Sequence, residues 1–351
     1  MTKRVRIRDL WIGGGEPIAI QSMANVDSRD EKGLRGQIAR LQDAGCEILR
    51  IAVPDQESLE VFGRIRKDTD LPLVADIHFD HRLAIGAIRA GADKIRINPG
   101  NIGSEDRIRA VVDCAKAYGV PIRIGVNSGS VEKDLLQKYG GVTAEALAES
   151  ALRSVALVED MGFDDIVLSM KSSDVKMNYE AHRIAAAKTD HPLHIGITEA
   201  GTMRRGKIKS AAGLGALLLA GIGDTIRVSL TADPAEEVVF ARELLDCLGL
   251  REPAYDLVSC PTCGRTRIDL EALAEEVDRR LAAEPGLPRG LKVAVMGCVV
   301  NGPGEAREAD YGVCGGDGVG LVFRKGEPLK RVNEDELADA LICAIREDIH
   351  S

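Results

Sequence analysis

Residues 71–101 read LPLVADIHFDHRLAIGAIRAGADKIRINPGN and contain one complete strand–helix–strand unit. Two β-branched runs, LPLVADIHF and ADKIRINPG, flank a helical pattern over Arg82–Ala90. The short link AGAD places a glycine at the end of that helix. Strand, helix and strand in this order are typical of a parallel sheet, because parallel strands need a crossover connection.

The same unit recurs along the first two-thirds of the chain. The strand candidates are EPIAIQSM (16–23), CEILRIAVP (46–54), LPLVADIHF (71–79), ADKIRINPG (92–100), VPIRIGVNSG (120–129), FDDIVLSMKSS (163–173), HPLHIGITEAG (191–201) and GDTIRVSLTA (223–232). Further helical patterns cover Leu34–Ala44, Ala144–Met161 and Ala235–Leu248. Eight such units predict an α/β fold, a (β/α)8 TIM barrel over residues 1–250. A doubly wound open sheet is the alternative, but it normally has fewer units, and no phosphate-binding glycine fingerprint follows the first strand.

The pattern changes after Leu250, and residues 251–351 predict a small α+β domain. Its expected elements are a helix at Leu270–Ala283, strands at Lys292–Met296 and Leu321–Arg324, and a final helix at Asn333–Ile345.

Four of the eight cysteines lie in this second region: Cys260 and Cys263 in SCPTCGRT, Cys298 in MGCVVNGPGE, and Cys314 in YGVCGGDG. A Cys-x-x-Cys pair with further thiols downstream is typical of a thiolate-bound metal site. A structural zinc knuckle and an iron–sulfur cluster both satisfy this spacing. The lack of a nearby histidine favours an all-sulfur site or a cluster with one unusual ligand.

Composition excludes several functional classes. The formal net charge is −9, the pI is near 5.4 and aromatic residues make up 3%, so neither a basic nor a stacking surface for nucleic acid is expected. The opening MTKRVRIRDL has no apolar segment typical of a secretory signal, and the apolar stretch around Ala211–Ile222 is too short to span a membrane. Eight cysteines in a chain with no visible secretory signal indicate free thiols in a reducing compartment, so a cytoplasmic location is expected.

Cationic side chains occupy equivalent places on five barrel strands. They are Arg50, Arg96, Arg123, Lys171 and Arg227. Alternate residues of a barrel strand point inward, and the carboxyl ends of the strands face the catalytic mouth. Counting by twos adds further inward positions, namely Asn98, Asn127, Ser229, Asp76 and His78, and Glu199 lies just past the seventh strand.

The charges on this face do not balance. Buried charge is costly unless it is paired, and only Asp76 and Glu199 offer local compensation. Each arginine alone could form a structural ion pair or point outward. Five cations together instead favour a polyanionic ligand, and a diphosphate suits the bidentate guanidinium group.

With barrel and cysteine loops both in view, the chain resembles the bacterial 4-hydroxy-3-methylbut-2-enyl diphosphate synthases of the methylerythritol phosphate isoprenoid pathway. The shared motifs run in order along the whole chain: IQSM, ADIHFD, KIRINPGN, IGVNSGS, LSMKSS, HIGITEAG, IRVSLTADP, SCPTCGRT and GCVVNGPGE. The resemblance implies a [4Fe–4S] cluster held by Cys260, Cys263, Cys298 and Glu305. Spacing alone offers Cys314 as the fourth ligand; the family pattern chooses Glu305, which leaves Cys314 as a nearby structural thiol.

The resemblance also implies the substrate, 2-C-methyl-D-erythritol 2,4-cyclodiphosphate, which the family opens and reductively dehydrates with two electrons. The residues expected to hold its diphosphate are Arg50, Arg96, Asn98, Arg123, Asn127, Lys171, Arg227 and Ser229. Asp76, His78, Thr198 and Glu199 are expected to surround the carbon skeleton, with Glu199 as the proton donor. A simple ion pair for Glu199 and a structural hydrogen bond for His78 remain alternatives.

The sequence also leads to expectations about partners. Without a nucleotide fingerprint, the electrons are expected from a separate flavodoxin or ferredoxin. A homodimer is expected, with each active site shared between two chains. The competing hypotheses are a pterin- or phosphate-binding barrel of the dihydropteroate synthase kind and a zinc-knuckle binding protein.

Overall fold

The computed structural model of the protein describes residues 1–298, 306–316 and 318–349. The chain forms two compact units, Met1–Leu250 and Arg251–Ser351. No helix in the described ranges is long and apolar enough to cross a membrane.

The first unit is a closed parallel barrel, which confirms the predicted (β/α)8 fold. A short N-terminal hairpin, β1 (Val5–Ile7) and β2 (Leu10–Ile12), precedes it. The barrel strands are β3 (Ala19–Met23), β4 (Ile48–Ala52), β5 (Leu73–Asp76), β6 (Lys94–Ile97), β7 (Ile122–Asn127), β8 (Ile166–Lys171), β9 (His194–Ile195) and β10 (Thr225–Ile226). They are ordered β8-β7-β6-β5-β4-β3-β10-β9. A parallel bridge between Leu168 and Leu193 joins the two ends of this row.

Helices surround the strands and bury their apolar faces against them. They are α1 (Glu31–Asp43), α2 (Gln56–Ile65), α3 (His81–Arg89), α4 (Pro99–Ile102), α5 (Glu105–Tyr118), α6 (Lys133–Tyr139), α7 (Ala144–Asp160), α8 (Val175–Ala186), α9 (Met203–Leu219) and α10 (Pro234–Cys247). Aspartate side chains cap α1, α2, α3, α8 and α10 by accepting from backbone N–H groups of the first turn. These caps let each helix begin soon after a strand ends.

The N-terminal hairpin, which the sequence did not predict, closes the base of the barrel. Its side chains pack against the first inward layer of the strands in one buried cluster: Val5, Ile7, Ile12, Ala19, Ile48, Val74 and Val167. Lys3 holds the segment in place, since its Nζ lies 2.7 Å from Asp164 and its backbone N–H donates to Asp190 at 2.6 Å. The base is therefore sealed by apolar contacts, and the interior opens toward the carboxyl ends of the strands.

The second unit is the predicted α+β domain. Its described elements are β11 (Tyr255–Ser259), α11 (Leu270–Ala283), β12 (Leu291–Met296), β13 (Tyr311–Gly316), β14 (Val319–Arg324), β15 (Glu327–Asn333) and α12 (Leu337–Ile349). The sheet runs in chain order, with β11, β12 and β13 parallel and the rest antiparallel. Strands β11, β13 and β15 were not predicted. The last helix begins later than predicted, because a short 3-10 turn at Glu334–Glu336 precedes it.

Candidate active site

Strand register brings the predicted cations of the barrel together. Arg96 on β6 is the direct cross-strand partner of Arg123 on β7 and of Asp76 on β5. Asn127 pairs in the same way with Lys171 at the ends of β7 and β8. The inward positions that were counted by twos along each strand therefore form continuous rows around the interior.

Asp76 is the anionic centre of this row. Its Oδ1 accepts from Arg96 Nη1 at 3.3 Å, and its Oδ2 lies 3.6 Å from Arg50 Nε and 3.1 Å from His78 Nε2. Burial alone would raise the pKa of this carboxyl. Arg50, the hydrogen bond from His78, and then Arg96 and Arg123 hold the pKa well below its usual range. Asp76 is thus an ionised counter-charge and not a proton donor.

Arg123 has no carboxylate partner among the described residues. It is 1% exposed, and its Nε and Nη1 have no hydrogen-bond acceptor among the described residues. Burial and then the charges of Arg50 and Arg96 lower the pKa of its guanidinium well below the usual value. A buried donor without an acceptor costs about 1–3 kcal/mol, so an acceptor from a ligand is strongly favoured here.

Arg50 and Arg227 meet at a methionine on β3. Arg50 Nη2 lies 2.7 Å and Arg227 Nη1 3.4 Å from Met23 Sδ, which is a weak acceptor. Glu237 at the start of α10 lies 3.8 Å from Arg227 Nη2. Burial lowers the pKa of Arg50 to about 10, and both arginines remain available for a stronger acceptor.

The structure adds a cation that the sequence argument missed. Lys94 is fully buried on β6, and its Nζ donates to Gln21 Oε1 on β3 at 3.3 Å. Burial, and then Arg123 and Arg50, lower the pKa of this ammonium well below its usual value. The strand periodicity does contain a signal for Lys94, because Lys94 stands two residues before Arg96 and therefore on the same inward face.

The cationic surplus of the barrel is large. Among the described residues, six cationic side chains belong to this network, Arg50, Lys94, Arg96, Arg123, Lys171 and Arg227, against two carboxylates, Asp76 and Glu237. Fully ionised, the network would carry four positive charges in excess, a charge balance that favours an anionic ligand.

The rim of the mouth carries the remaining predicted residues. Asn98 is buried and caps α4, since its Oδ1 accepts from Gly100 N–H at 3.1 Å. Asn127 ends β7 and is exposed. Thr198, Glu199 and Ser229 lie past the ends of β9 and β10, and no described contact joins their side chains to the other predicted residues.

Glu199 has a backbone conformation that is unusual for its residue type. Its backbone φ is +51°, a value that residues other than glycine rarely adopt, and the residue is exposed. Such strain persists where the surrounding structure imposes it, and it is common at functional sites.

Three cysteines of the second unit, Cys260, Cys263 and Cys298, lie in loops at the carboxyl ends of its parallel strands. Cys260 follows β11 and Cys298 follows β12, which are neighbouring parallel strands. Gly297 N–H donates to Cys260 Sγ at 3.2 Å, and Arg267 N–H donates to Gly297 O at 3.2 Å. Cys263 lies in the loop between Cys260 and Arg267, and its backbone N–H donates to Thr266 Oγ1 at 3.0 Å. These contacts link the Cys260 and Cys298 loops, although the three Sγ atoms do not all lie within 4.8 Å of one another.

The environments of these thiols differ. Hydrogen bonds from the backbone and the side chain of Arg265 lower the pKa of the exposed Cys263. Cys314 is fully buried in an apolar cluster on β13, and burial followed by the nearby Cys298 raises its pKa to about 11. Thiolate ligation is easier for Cys263 than for Cys314. Glu305, the predicted fourth ligand, lies outside the described residues.

These features define a (β/α)8-barrel protein with a cationic interior, joined to a small α+β domain with three cysteines in loops at the ends of its parallel strands. Residues 2–242 match the GcpE TIM-barrel domain, and residues 256–347 match the GcpE protein C-terminal domain. The chain belongs to the GcpE family, which confirms the resemblance stated from its motifs.

Curated relatives match the chain over nearly its full length. A protein from Caldanaerobacter subterraneus subsp. tengcongensis is 55% identical over 98% of this chain and 96% of its own length. One from Geobacter sulfurreducens is 54% identical over 98% and 97%. Both are named 4-hydroxy-3-methylbut-2-en-1-yl diphosphate synthase (flavodoxin).

A solved structure is similar in fold over part of the chain. Xanthomonas albilineans dihydropteroate synthase with 4-aminobenzoic acid has a TM-score of 0.50 and 18% identity, over 71% of this chain and 97% of that one. At this identity the likeness indicates a common fold and carries no functional argument.

Proposed function

We propose that the protein converts 2-C-methyl-D-erythritol 2,4-cyclodiphosphate into 4-hydroxy-3-methylbut-2-enyl diphosphate, for isoprenoid precursor biosynthesis. The conversion consumes two electrons and two protons and releases one water. One observation carries the proposal: Arg123 is buried in a cationic barrel with two N–H groups that have no acceptor among the described residues. A diphosphate supplies both the acceptors and the missing negative charge.

The barrel residues bind and orient this substrate. Those that hold the diphosphate are Arg50, Arg96, Asn98, Arg123, Asn127, Lys171, Arg227 and Ser229. Asp76 keeps Arg50 and Arg96 in place through its two oxygens. His78 and Thr198 lie at the mouth, where the carbon skeleton would sit.

Glu199 is the proposed proton donor to the departing hydroxyl. It is the exposed carboxyl that follows β9, and no described ion pair occupies it. A proton donor must come within hydrogen-bond reach of the departing hydroxyl, and the exposed side chain of Glu199 is accessible to a bound substrate.

The three loop cysteines suit an iron–sulfur group. Cys260, Cys263 and Cys298 are soft ligands, and the Gly297 N–H···Sγ bond is of the kind that tunes such clusters. We propose that they hold a [4Fe–4S] cluster with Glu305 as the fourth ligand, which would supply the electrons of the reduction. The buried environment of Cys314 supports its role as a structural thiol.

Flavodoxin is the proposed electron donor, because the relatives carry that word in their names; ferredoxin is the alternative. A homodimer with active sites shared between chains also remains a proposal. It is tested by mixing inactive Cys298→Ser and Glu199→Ala proteins. Subunit exchange should restore activity in a shared site, whereas proven exchange without recovery would contradict sharing.

The function is tested by anaerobic turnover of the cyclodiphosphate with reduced flavodoxin. The expected protein is brown, absorbs broadly near 400 nm, bleaches with dithionite and releases the linear diphosphate. A colourless, zinc-containing protein without turnover would support a zinc-knuckle protein instead.

A further inference from the structure

Three buried side chains form a hydrogen-bonded row on neighbouring strands of the barrel. Lys171 Nζ lies 3.1 Å from His194 Nε2, and His194 Nδ1 lies 2.8 Å from Thr225 Oγ1. Lys171 is 8% exposed, and His194 and Thr225 are fully buried. His194 and Thr225 are direct cross-strand partners on β9 and β10.

The two contacts fix the tautomer of His194. When Lys171 is protonated, as expected with an anion bound, its ammonium can only donate, so Nε2 presents its lone pair to Lys171. The proton of the neutral ring then lies on Nδ1 and is donated to Thr225 Oγ1. Burial, and then the charges of Lys171 and Arg123, lower the pKa of His194 well below its usual value, in keeping with a neutral ring.

Other nearby groups repel the Lys171 ammonium. Burial, and then the like charges of Arg123, Arg227, Arg50 and Arg96, lower the pKa of Lys171 well below its usual value. His194 Nε2 is its one hydrogen-bond partner among the described residues. Under this burial and repulsion the protonated form needs a nearby acceptor, and His194 Nε2 supplies one.

The same strand leaves space for Lys171. A Cβ atom added at Gly196 would lie 3.0 Å from Lys171 Nζ and 3.2 Å from its Cε. Gly196 stands two residues after His194, so both face the interior. Gly196 leaves room for the Lys171 side chain, and His194 provides its hydrogen-bond acceptor.

We propose that His194 is a positioning residue. Thr225 selects its tautomer, and in that tautomer His194 holds the Lys171 ammonium at the anion site. The inference rests on the proposed function, because it takes Lys171 as a diphosphate ligand. His194 itself touches no substrate in this scheme and acts through Lys171.

A double-mutant cycle tests this coupling. We would measure calorimetric affinity for inorganic diphosphate and the KM and kcat for the cyclodiphosphate in wild type, Lys171→Met, His194→Phe and the double variant. Each single change is expected to weaken diphosphate binding roughly tenfold, and the double variant is expected to be no weaker than Lys171→Met. KM should rise with a smaller effect on kcat, because the chemistry is untouched.

Conservative variants separate positioning from packing. His194→Gln offers an amide oxygen to Lys171 and should recover much of the lost affinity. Thr225→Val removes the Nδ1 acceptor and should weaken binding, whereas Thr225→Ser should not. His191→Gln is the matched control, because that buried histidine bonds Glu159 instead and should leave KM unchanged.

Independent, additive effects in the cycle, or wild-type affinity in a folded His194→Phe or Thr225→Val protein, would overturn the positioning role. These outcomes differ from failure of the proposed function, in which the wild-type protein itself neither binds diphosphate nor converts the cyclodiphosphate. Thermal unfolding of each variant establishes that it is folded, and Thr225→Val keeps the test decisive if His194→Phe does not fold.

Discussion

Arg96 and Arg123 are direct partners on neighbouring strands, and both guanidinium groups are buried inside the barrel. Like charges opposite each other in a sheet are destabilising. Asp76 compensates Arg96 through a 3.3 Å contact, whereas no carboxylate oxygen among the described residues lies within 4.0 Å of Arg123. The pair therefore costs stability in the ligand-free protein, and a bound anion would recover it.

Arg123→Met should weaken binding of inorganic diphosphate ten- to a hundredfold. A lost charge-assisted hydrogen bond is worth roughly 1.5–3 kcal/mol, which corresponds to that range. Calorimetry measures the change, and Arg153→Met is the control, because Arg153 lies exposed on α7 with Asp134 and Glu149. Unaltered binding in an Arg123→Ala, Arg227→Ala double variant would remove the diphosphate hypothesis.

Lys94→Met should stabilise the ligand-free protein while weakening diphosphate binding. The change replaces a fully buried amine, which has one neutral hydrogen-bond partner among the described residues, with an apolar side chain of similar length. The free energy of unfolding should rise by about 1–3 kcal/mol. Urea unfolding measures this gain; a clear loss of stability would show that the Lys94 charge is compensated in the native protein.

The sequence sufficed for the barrel because its strands and helices differ strongly in periodicity. Counting by twos placed Arg96, Arg123 and Asp76 inside, and the register confirms that placement. The same count was not extended to Lys94 and His194, and it could not have shown that Lys94 contacts Gln21 across the barrel or that His194 contacts Lys171. Such contacts join distant strands and depend on closure of the sheet.

The N-terminal hairpin shows a different limit. Its strands have three residues each, too few for a periodic signal. Their stability comes from contact with Val74 and Val167, which are distant in the chain. Local propensity does not contain that information.

His182 should make stability depend on pH. It is fully buried on α8, its Nε2 has no hydrogen-bond partner among the described residues, and burial lowers its pKa to about 4. Between that value and the unfolded pKa of about 6.5, only the unfolded chain binds the proton. Stability from His182 is therefore complete above pH 6.5 and declines as the pH falls toward 4.

Urea unfolding at pH 7 and pH 5 measures this effect in wild type and His182→Gln. The wild-type protein should lose roughly 2 kcal/mol more than the variant over this interval. The difference between the two proteins removes the contributions of the other titrating groups. Equal losses of stability in the two proteins would show that His182 binds a proton as readily in the folded protein as in the unfolded chain.

Cys260→Ser, Cys263→Ser and Cys298→Ser should each lose iron and activity, whereas Cys314→Ser should keep the cluster. The buried Cys314 thiol is held neutral by its apolar surroundings, which disfavours ligation. Iron content and the absorbance near 400 nm measure retention. Cys343→Ser is the control, since that thiol is exposed on α12. Loss of the cluster in Cys314→Ser with full activity in Glu305→Ala would reverse the ligand assignment.

Glu199 offers a test that separates catalysis from backbone strain. Glu199→Gln keeps the φ of +51° and the side-chain shape but removes the acid, so substrate should bind while turnover falls by about 10²–10⁴. Glu199→Gly also lacks the acid but relieves the strain, since glycine adopts positive φ freely, so its thermal stability should equal or exceed that of wild type. Single-turnover kinetics and calorimetric substrate binding measure the first effect, and thermal unfolding measures the second. If Glu199→Gln turns over at nearly the wild-type rate, the carboxyl is structural. If both variants bind substrate normally and neither reacts, the strained position serves to hold a proton donor at the barrel mouth.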